Sequence, residues 1–144
     1  MIVKQIEPKD TYRIRQHVLR PNSPMESCHF KDDFDEHTFH LGGFIDDKLA
    51  SIASFYFTKN EKIPQSYQYR LRGMATLPEH QGKGLSSALL RTAFPIIKNN
   101  NVDILWCNAR SSAVEFYKKV GFEVISDEFA IPEIGPHFLM KKDI

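Results

Sequence analysis

The feature that constrains this chain most is a change of residue period between Tyr67 and Cys107. Tyr67, Tyr69, Leu71 and Gly73 alternate with Gln68, Arg70, Arg72 and Met74, the pattern of a half-exposed strand. Leu85, Ala88, Leu89, Thr92 and Ile96 then recur at helical spacing and give one apolar stripe suited to lying on a sheet. From Val102 to Cys107 the residues turn β-branched and aromatic again. A strand, a helix and a strand in that order close as a crossover between parallel neighbours.

Around this unit the chain supplies further elements. Ile2 to Ile6 reads as a first strand, and Asp10 as the cap of a helix running to about Leu19, stopped by Pro21 and Pro24. The stretch from Pro21 to Glu36 has no period and predicts a loop with one short helix near Phe30 to Phe34. Between Phe39 and Phe57 β-formers are broken only by Asp46-Asp47, residues that tolerate the positive φ of a tight turn, so a hairpin is expected. Pro95 should bend or fray the helix that starts at Leu85, which ends in Asn99-Asn100-Asn101. Ser112-Ala113-Val114-Glu115 reads as a capping box opening a last helix, and Gly121 suits its left-handed end. Phe122 to Ile125 and Phe138 to Met140 complete the strands. The antiparallel hairpin together with the parallel crossover predicts an α/β fold: a mixed, mostly antiparallel sheet of about six to seven strands with helices on both faces.

Size and charge narrow the function. The 144 residues, 42% hydrophobic, predict one domain over 1–144 with a core that needs neither disulfide nor metal. Nineteen Lys and Arg against eighteen Asp and Glu leave a net charge of +1, which disfavours nucleic acid as a partner. No apolar run reaches the ~18–20 residues that span a bilayer, so no membrane association is expected and a soluble, cytoplasmic protein is. Cys28 and Cys107 stand far apart, offering neither a disulfide framework nor a zinc spacing.

Chemistry concentrates in Leu77-Pro78-Glu79-His80-Gln81-Gly82-Lys83-Gly84-Leu85-Ser86, between a strand and an amphipathic helix. Gly82 and Gly84 remove side chains where a backbone turns, and the first helical amides beyond them lack intrahelical acceptors. Such amides, with the positive end of the helix dipole and Lys83, form an anion site suited to a pyrophosphate. The spacing matches neither a Walker loop nor a dinucleotide fingerprint. On the glycines alone, an ordinary glycine-rich helix start fits equally well.

Gln81-Gly82-Lys83-Gly84-Leu85-Ser86 resembles the signature of the GNAT superfamily of N-acetyltransferases: Gln or Arg, two residues, Gly, one residue, Gly or Ala. Ser86 stands where that signature has Gly or Ala. A second stretch, Ala113 to Phe122, is similar to the family's helix ending in Tyr-x-x-x-Gly-Phe, here Tyr117 to Phe122. The resemblance implies acetyl-CoA as co-substrate, without a metal. Its pyrophosphate would lie on the amides of Gln81, Gly82, Lys83, Gly84, Leu85 and Ser86, and its pantetheine between the strands ending near Met74 and Cys107. Backbone groups of Met74, Ala75 and Thr76 would hold the pantetheine and polarise the acetyl carbonyl. Tyr117 matches the tyrosine that protonates the departing thiolate, or is a core residue with a satisfied hydroxyl. Asn108 is a further candidate for a pantetheine contact, although Arg110 holds the place seven residues before the tyrosine where the family's asparagine usually stands.

The acceptor side is less explicit. An attacking amine needs a base, and His37, His40, His80 and His137 are candidates. His137, after Gly135-Pro136 in a strand that by resemblance ends near the acceptor cleft, ranks first as a catalytic group. Arg70 and Arg72, two apart on one strand face, suit either an acceptor carboxylate or structural pairing. Cys28 reads as a buried, inert thiol. The expected function is acetyl transfer from acetyl-CoA to a primary amine of a small molecule or protein in a ternary complex. The alternative is a non-catalytic acyl-CoA-binding regulatory module. Monomer and homodimer both remain open, the latter through a strand edge near Phe138.

Overall fold

The computed structural model describes residues 1–144, which separate into two compact units. One comprises Met1–Phe57 with Leu71–Ala93, the other Thr58–Arg70 with Phe94–Ile144. Eight strands follow the hydrogen-bonded order β1-β2-β3-β4-β5-β8-β6, with β7 on β8.

In the first unit β1 (Ile2–Ile6) pairs antiparallel with β2 (Phe39–Ile45), and β2 with β3 (Lys48–Phe57). The expected hairpin is present, with Asp46 and Asp47 at φ 50° and 64°. Next to β3 comes β4 (Tyr69–Thr76), in which Gly73 takes φ 66°. Both faces of this half carry helices. Ile14 packs with Ile52 and Ala75 on one face. On the other, a Cβ at Gly43, the partner of Ser51, would stand 2.9 Å from the end of the Leu85 side chain of α2 (Leu85–Asn99), so glycine here leaves that side chain its place against the sheet.

Asp10 is not a cap. The helical segment starts at Pro8, where a proline lacks only an amide that the helix leaves free anyway. Asp10 sits inside the first turn and accepts the Glu7 amide at 2.9 Å. After one α-turn, α1 (Tyr12–Ile14), the segment widens into a π-turn over Arg15–Leu19. The short helix expected near Phe30 to Phe34 lies instead at Met25–Cys28, as a 3-10 turn. At Phe30 to Asp33 the Asp33 carboxylate turns back onto the Phe30 amide at 3.0 Å and closes a turn.

In the second unit the first residues of β4 pair parallel with β5 (Ile104–Arg110), Tyr69 opposite Leu105 and Arg70 opposite Trp106. β5 runs three residues past the expected end, because β8 (Gly135–Asp143) pairs it antiparallel as far as Arg110–His137. β6 (Glu123–Val124) and β7 (Phe129–Ile131) also pair with β8. Nothing in the sequence marks β7, because three residues amid turn formers show no period. Ser112 forms no capping box. A 3-10 turn over Ser111–Ala113 leads into α3 (Val114–Lys119), whose Ala113 cap makes no side-chain bond, while the Ser111 hydroxyl donates to Glu128 at 2.7 Å. Gly121, at φ 101°, ends that helix as expected. Gln68, assigned to an exposed strand face, is buried: its amide accepts from Asn60 N–H and donates to the Ile63 and Gln65 carbonyls, locking the loop before β4.

Pro95 does not stop α2, which continues to Asn99 before Asn101 turns at φ 61°.

Candidate active site

The loop from Leu77 to Gly84 brings together most of the residues assigned to an anion. Gly82 and Gly84 have φ 78° and 81°, a region that only glycine enters without strain. A Cβ built on either would meet no atom within 4 Å, so the space beside this backbone is open. Gln81 to Gly84 are exposed while Leu85 is buried, which anchors the start of α2 and leaves the loop in water. Ala88 donates the first intrahelical bond, to Gly84 at 3.1 Å, so the Leu85, Ser86 and Ser87 amides have no helical acceptor. A bulky anion fits here: the donors are free, nothing occupies the space a side chain would take, and the helix dipole adds positive potential.

Side chains brace the loop. Gln81 donates to the Thr76 carbonyl at 3.2 Å, and Lys83 donates to His80 Nδ1 at 3.2 Å. Ser86 is more than a tolerated departure. Its hydroxyl lies 3.2 Å from Thr76 Oγ1, which lies 2.8 Å from Ser51 Oγ, and Ser51 donates to the Ala75 carbonyl. This chain of hydroxyls ties β3, β4 and α2 together immediately behind the loop. The Thr76 side chain is thereby committed within the protein.

A second polar assembly in the same unit came from no motif. Arg15, Asp33, His40, Ser54 and Tyr56 are all buried. Arg15 grips Asp33 bidentately at 2.6 and 3.0 Å, and donates to the Cys28 carbonyl and Ser54 Oγ at 2.8 and 2.9 Å. Tyr56 donates to Asp33 at 2.6 Å. Burial by itself would raise the Asp33 pKa, but hydrogen bonds from Arg15 and Tyr56 and the Arg15 charge bring it below the usual carboxylate range. Burial and the bond to Asp33 push the Tyr56 phenol up, so it stays a donor. His40 Nε2 donates to the Asp33 carbonyl at 3.0 Å, which leaves Nδ1 to accept from Ser54 at 2.7 Å. Desolvation lowers the His40 pKa, so the ring is neutral. With both nitrogens engaged and the residue buried, His40 is no candidate base. His37 is exposed beside Glu36, and His80 is the acceptor for Lys83.

In the second unit, Tyr117 is buried on the face it shares with Val120, with Phe116 and Phe122 rings packed edge-on at 5.2 and 5.3 Å. Its hydroxyl makes no hydrogen bond within the protein. Burial, and then Cys107, raise its pKa, which keeps the proton on. The Cys107 thiol is itself pushed up to about 12 by burial, against the opposing Arg70 charge, and Cys28 is fully buried. Asn108 in β5 is half-buried, and its amide bonds no protein group. His137 is buried against Phe129; its Nδ1 donates to the Gly135 carbonyl at 2.8 Å, leaving the Nε2 lone pair as the basic position. Arg70 and Arg72 do not form one fork: Arg70 lies over Trp106 at 5.0 Å and Arg72 over Phe30 at 4.2 Å.

Residues 5–122 match the model of the acetyltransferase (GNAT) family. The chain is 40% identical over 142 residues to the protein named uncharacterized N-acetyltransferase YitI of Bacillus subtilis, covering 99% of this chain and 95% of that one. Solved structures share the fold across nearly the whole length. Escherichia coli ElaA superposes with a TM-score of 0.77 at 16% identity, covering 99% of both chains. An aminoglycoside 6'-N-acetyltransferase complexed with coenzyme A gives 0.78 at 9% identity, covering 99% of this chain and 97% of that one. This chain belongs to the GNAT acetyltransferase family. It is an acyltransferase, and the mixed, mostly antiparallel sheet with flanking helices is that family's fold. No cluster of His, Cys, Asp and Glu suited to a metal ion occurs, and no helix is long and apolar enough to cross a membrane.

Proposed function

We propose that the protein transfers an acetyl group from acetyl-CoA to a primary amine by direct attack within a ternary complex, residues 1–144 acting as one catalytic domain. The observation that carries this reading is the open row of amides from Gly82 to Ser86, which follows the Gln81 amide bonded to Pro78, with Gly82 and Gly84 at positive φ and free space beside both. A pyrophosphate is the group that such amides, the α2 dipole and Lys83 bind together. Coenzyme A in the complex of the aminoglycoside 6'-N-acetyltransferase, a protein of the same fold, supports the same donor.

In this reading backbone groups of Met74, Ala75 and Thr76 and the free amide of Asn108 receive the pantetheine and acetyl carbonyl. An amide aimed at the carbonyl oxygen stabilises the negative charge that develops as the amine adds. The amine nitrogen forms the new C–N bond, the C–S bond breaks, and the thiolate takes the Tyr117 proton. His137 Nε2 takes the proton that the amine loses. Burial keeps the Tyr117 hydroxyl protonated, the state a donor to the thiolate must start from, and that hydroxyl is committed to no other group of the protein.

The test is thiol release from acetyl-CoA over a panel of amines, with Tyr117→Phe beside the parent protein. Turnover should fall by ~10²-fold with acetyl-CoA affinity retained. Since the hydroxyl has no partner to lose, stability should move by less than ~0.5 kcal/mol. Unchanged turnover would remove Tyr117 from the mechanism.

A further inference from the structure

Three guanidinium groups share one phenyl ring. Arg15, Arg72 and Arg20 lie 4.0, 4.2 and 5.1 Å from the Phe30 ring centre. Cation–π attraction accounts for each singly, but like charges gathered this closely repel one another. The only carboxylate in the assembly is Asp33, and it is fully used: Arg15 holds both of its oxygens, Tyr56 donates to one and the Phe30 amide to the other. Arg20 and Arg72 form neither an ion pair nor a side-chain hydrogen bond. Arg15 Nε, fully buried, is also without an acceptor. Positive charge and guanidinium donors are therefore in excess around Phe30. Burial lowers the Arg72 pKa, and the Arg20 and Arg15 charges push the same way against Tyr56 and Asp33.

We propose that Arg20 and Arg72, seated on Phe30, bind a carboxylate carried by the amine acceptor. An anion with paired oxygens complements these donors, since a planar guanidinium receives it in a fork. Its place in the chain suits an acceptor, since Arg72 lies in β4 two residues before Met74, where the acetyl group is assigned. Arg15 and Asp33 are positioning residues: their ion pair fixes Phe30 and the segment that presents Arg20. The proposal rests on the N-acetyltransferase reading for the identity of the ligand, but the anion site itself does not depend on turnover.

The experiment compares kcat/KM for glycine, phenylalanine and lysine, each against its own carboxamide, in the parent protein and in Arg72→Gln and Arg20→Gln. Acetyl-CoA affinity is measured calorimetrically on the same preparations. At least one carboxylate should be preferred by ~10-fold or more, and each substitution should cut that preference by ~5-fold or more through KM, with acetyl-CoA affinity unchanged. No preference in any pair, or a preference that survives both substitutions, overturns the proposal. Weakening of acetyl-CoA by the same factor also overturns it, because the anion would then be a phosphate of the donor. If no amine is acetylated, the N-acetyltransferase reading fails, and calorimetry with malonate decides the anion site alone. Saturable binding lost in Arg72→Gln supports the site, and no binding to the parent protein overturns it. Should Arg72→Gln not fold, the half-exposed Arg20→Gln decides every arm.

Discussion

The loop before α2 and the Arg15–Asp33 assembly both concentrate polar groups in the first unit, yet they treat them in opposite ways. At the loop, Gly82 and Gly84 keep amides exposed and unpaired, with nothing within 4 Å of where a side chain would start. In the assembly, Asp33 is nearly sealed from water at 3% exposure and receives hydrogen bonds from a guanidinium, a phenol and an amide. Open donors cost little while water covers them and become binding energy when an anion displaces that water. Buried donors and acceptors must be satisfied internally, and removing one exposes the others to the full desolvation penalty. A binding site and a structural brace therefore differ in where their hydrogen bonds end.

The largest effect should come from breaking the brace. Asp33→Ala leaves the Arg15 guanidinium buried without its carboxylate, and a loss of ~3–5 kcal/mol in chemical denaturation is expected. A loss below ~1 kcal/mol would mean that water enters to replace the carboxylate. Next is Gly84→Asp, which puts a side chain on a backbone at φ 81° and a negative charge where a phosphate is to bind. Acetyl-CoA affinity should drop by ~10²-fold or more while the Asp33 assembly keeps its stability. Unaltered affinity would remove the loop as the donor site.

A smaller effect is set by pH. The folded-state pKa of His40 is depressed, so its contribution to stability is present above the unfolded value of ~6.5 and is lost as pH falls below it, by at most ~1.4 kcal/mol per pH unit. Denaturation midpoints between about pH 5 and 8 should decline on the acid side in the parent protein and less so in His40→Gln. Equal slopes would show that His40 does not carry the dependence. The smallest change is Ser86→Ala, which removes the last hydroxyl of the Ser51–Thr76–Ser86 chain and restores the commoner residue of the signature. A cost of ~1 kcal/mol or less is expected, with acetyl-CoA affinity preserved.

How much of this could be read in advance follows from range. The hairpin at Asp46-Asp47, the crossover through α2 and the glycine turn before it are local patterns, and the backbone obeys them. The capping readings put Asp10 at the wrong position of its capping box and found one at Ser112 that does not form, because a side chain has more than one acceptor or donor within reach. Asp10 found the Glu7 amide from inside the first turn, and the neighbouring Ser111 found Glu128. Gln68 looked exposed because alternation says which face a residue takes but not what loop folds over that face.

By itself the sequence determined the fold class and the glycine turn before α2, which are written in residues close together along the chain, while the candidacy of Tyr117, Asn108 and His137 came from the resemblance to the GNAT superfamily. Only the tertiary structure decided that His40 is committed to Ser54 and Asp33, that Arg70 and Arg72 sit on different rings, and that Arg15, Arg20 and Arg72 converge on Phe30. Those facts join residues separated by up to 57 positions, as Arg15 and Arg72 are on Phe30. Hydrogen bonding and charge act through space over a few ångströms, and no local pattern records which distant side chains folding will bring within that distance.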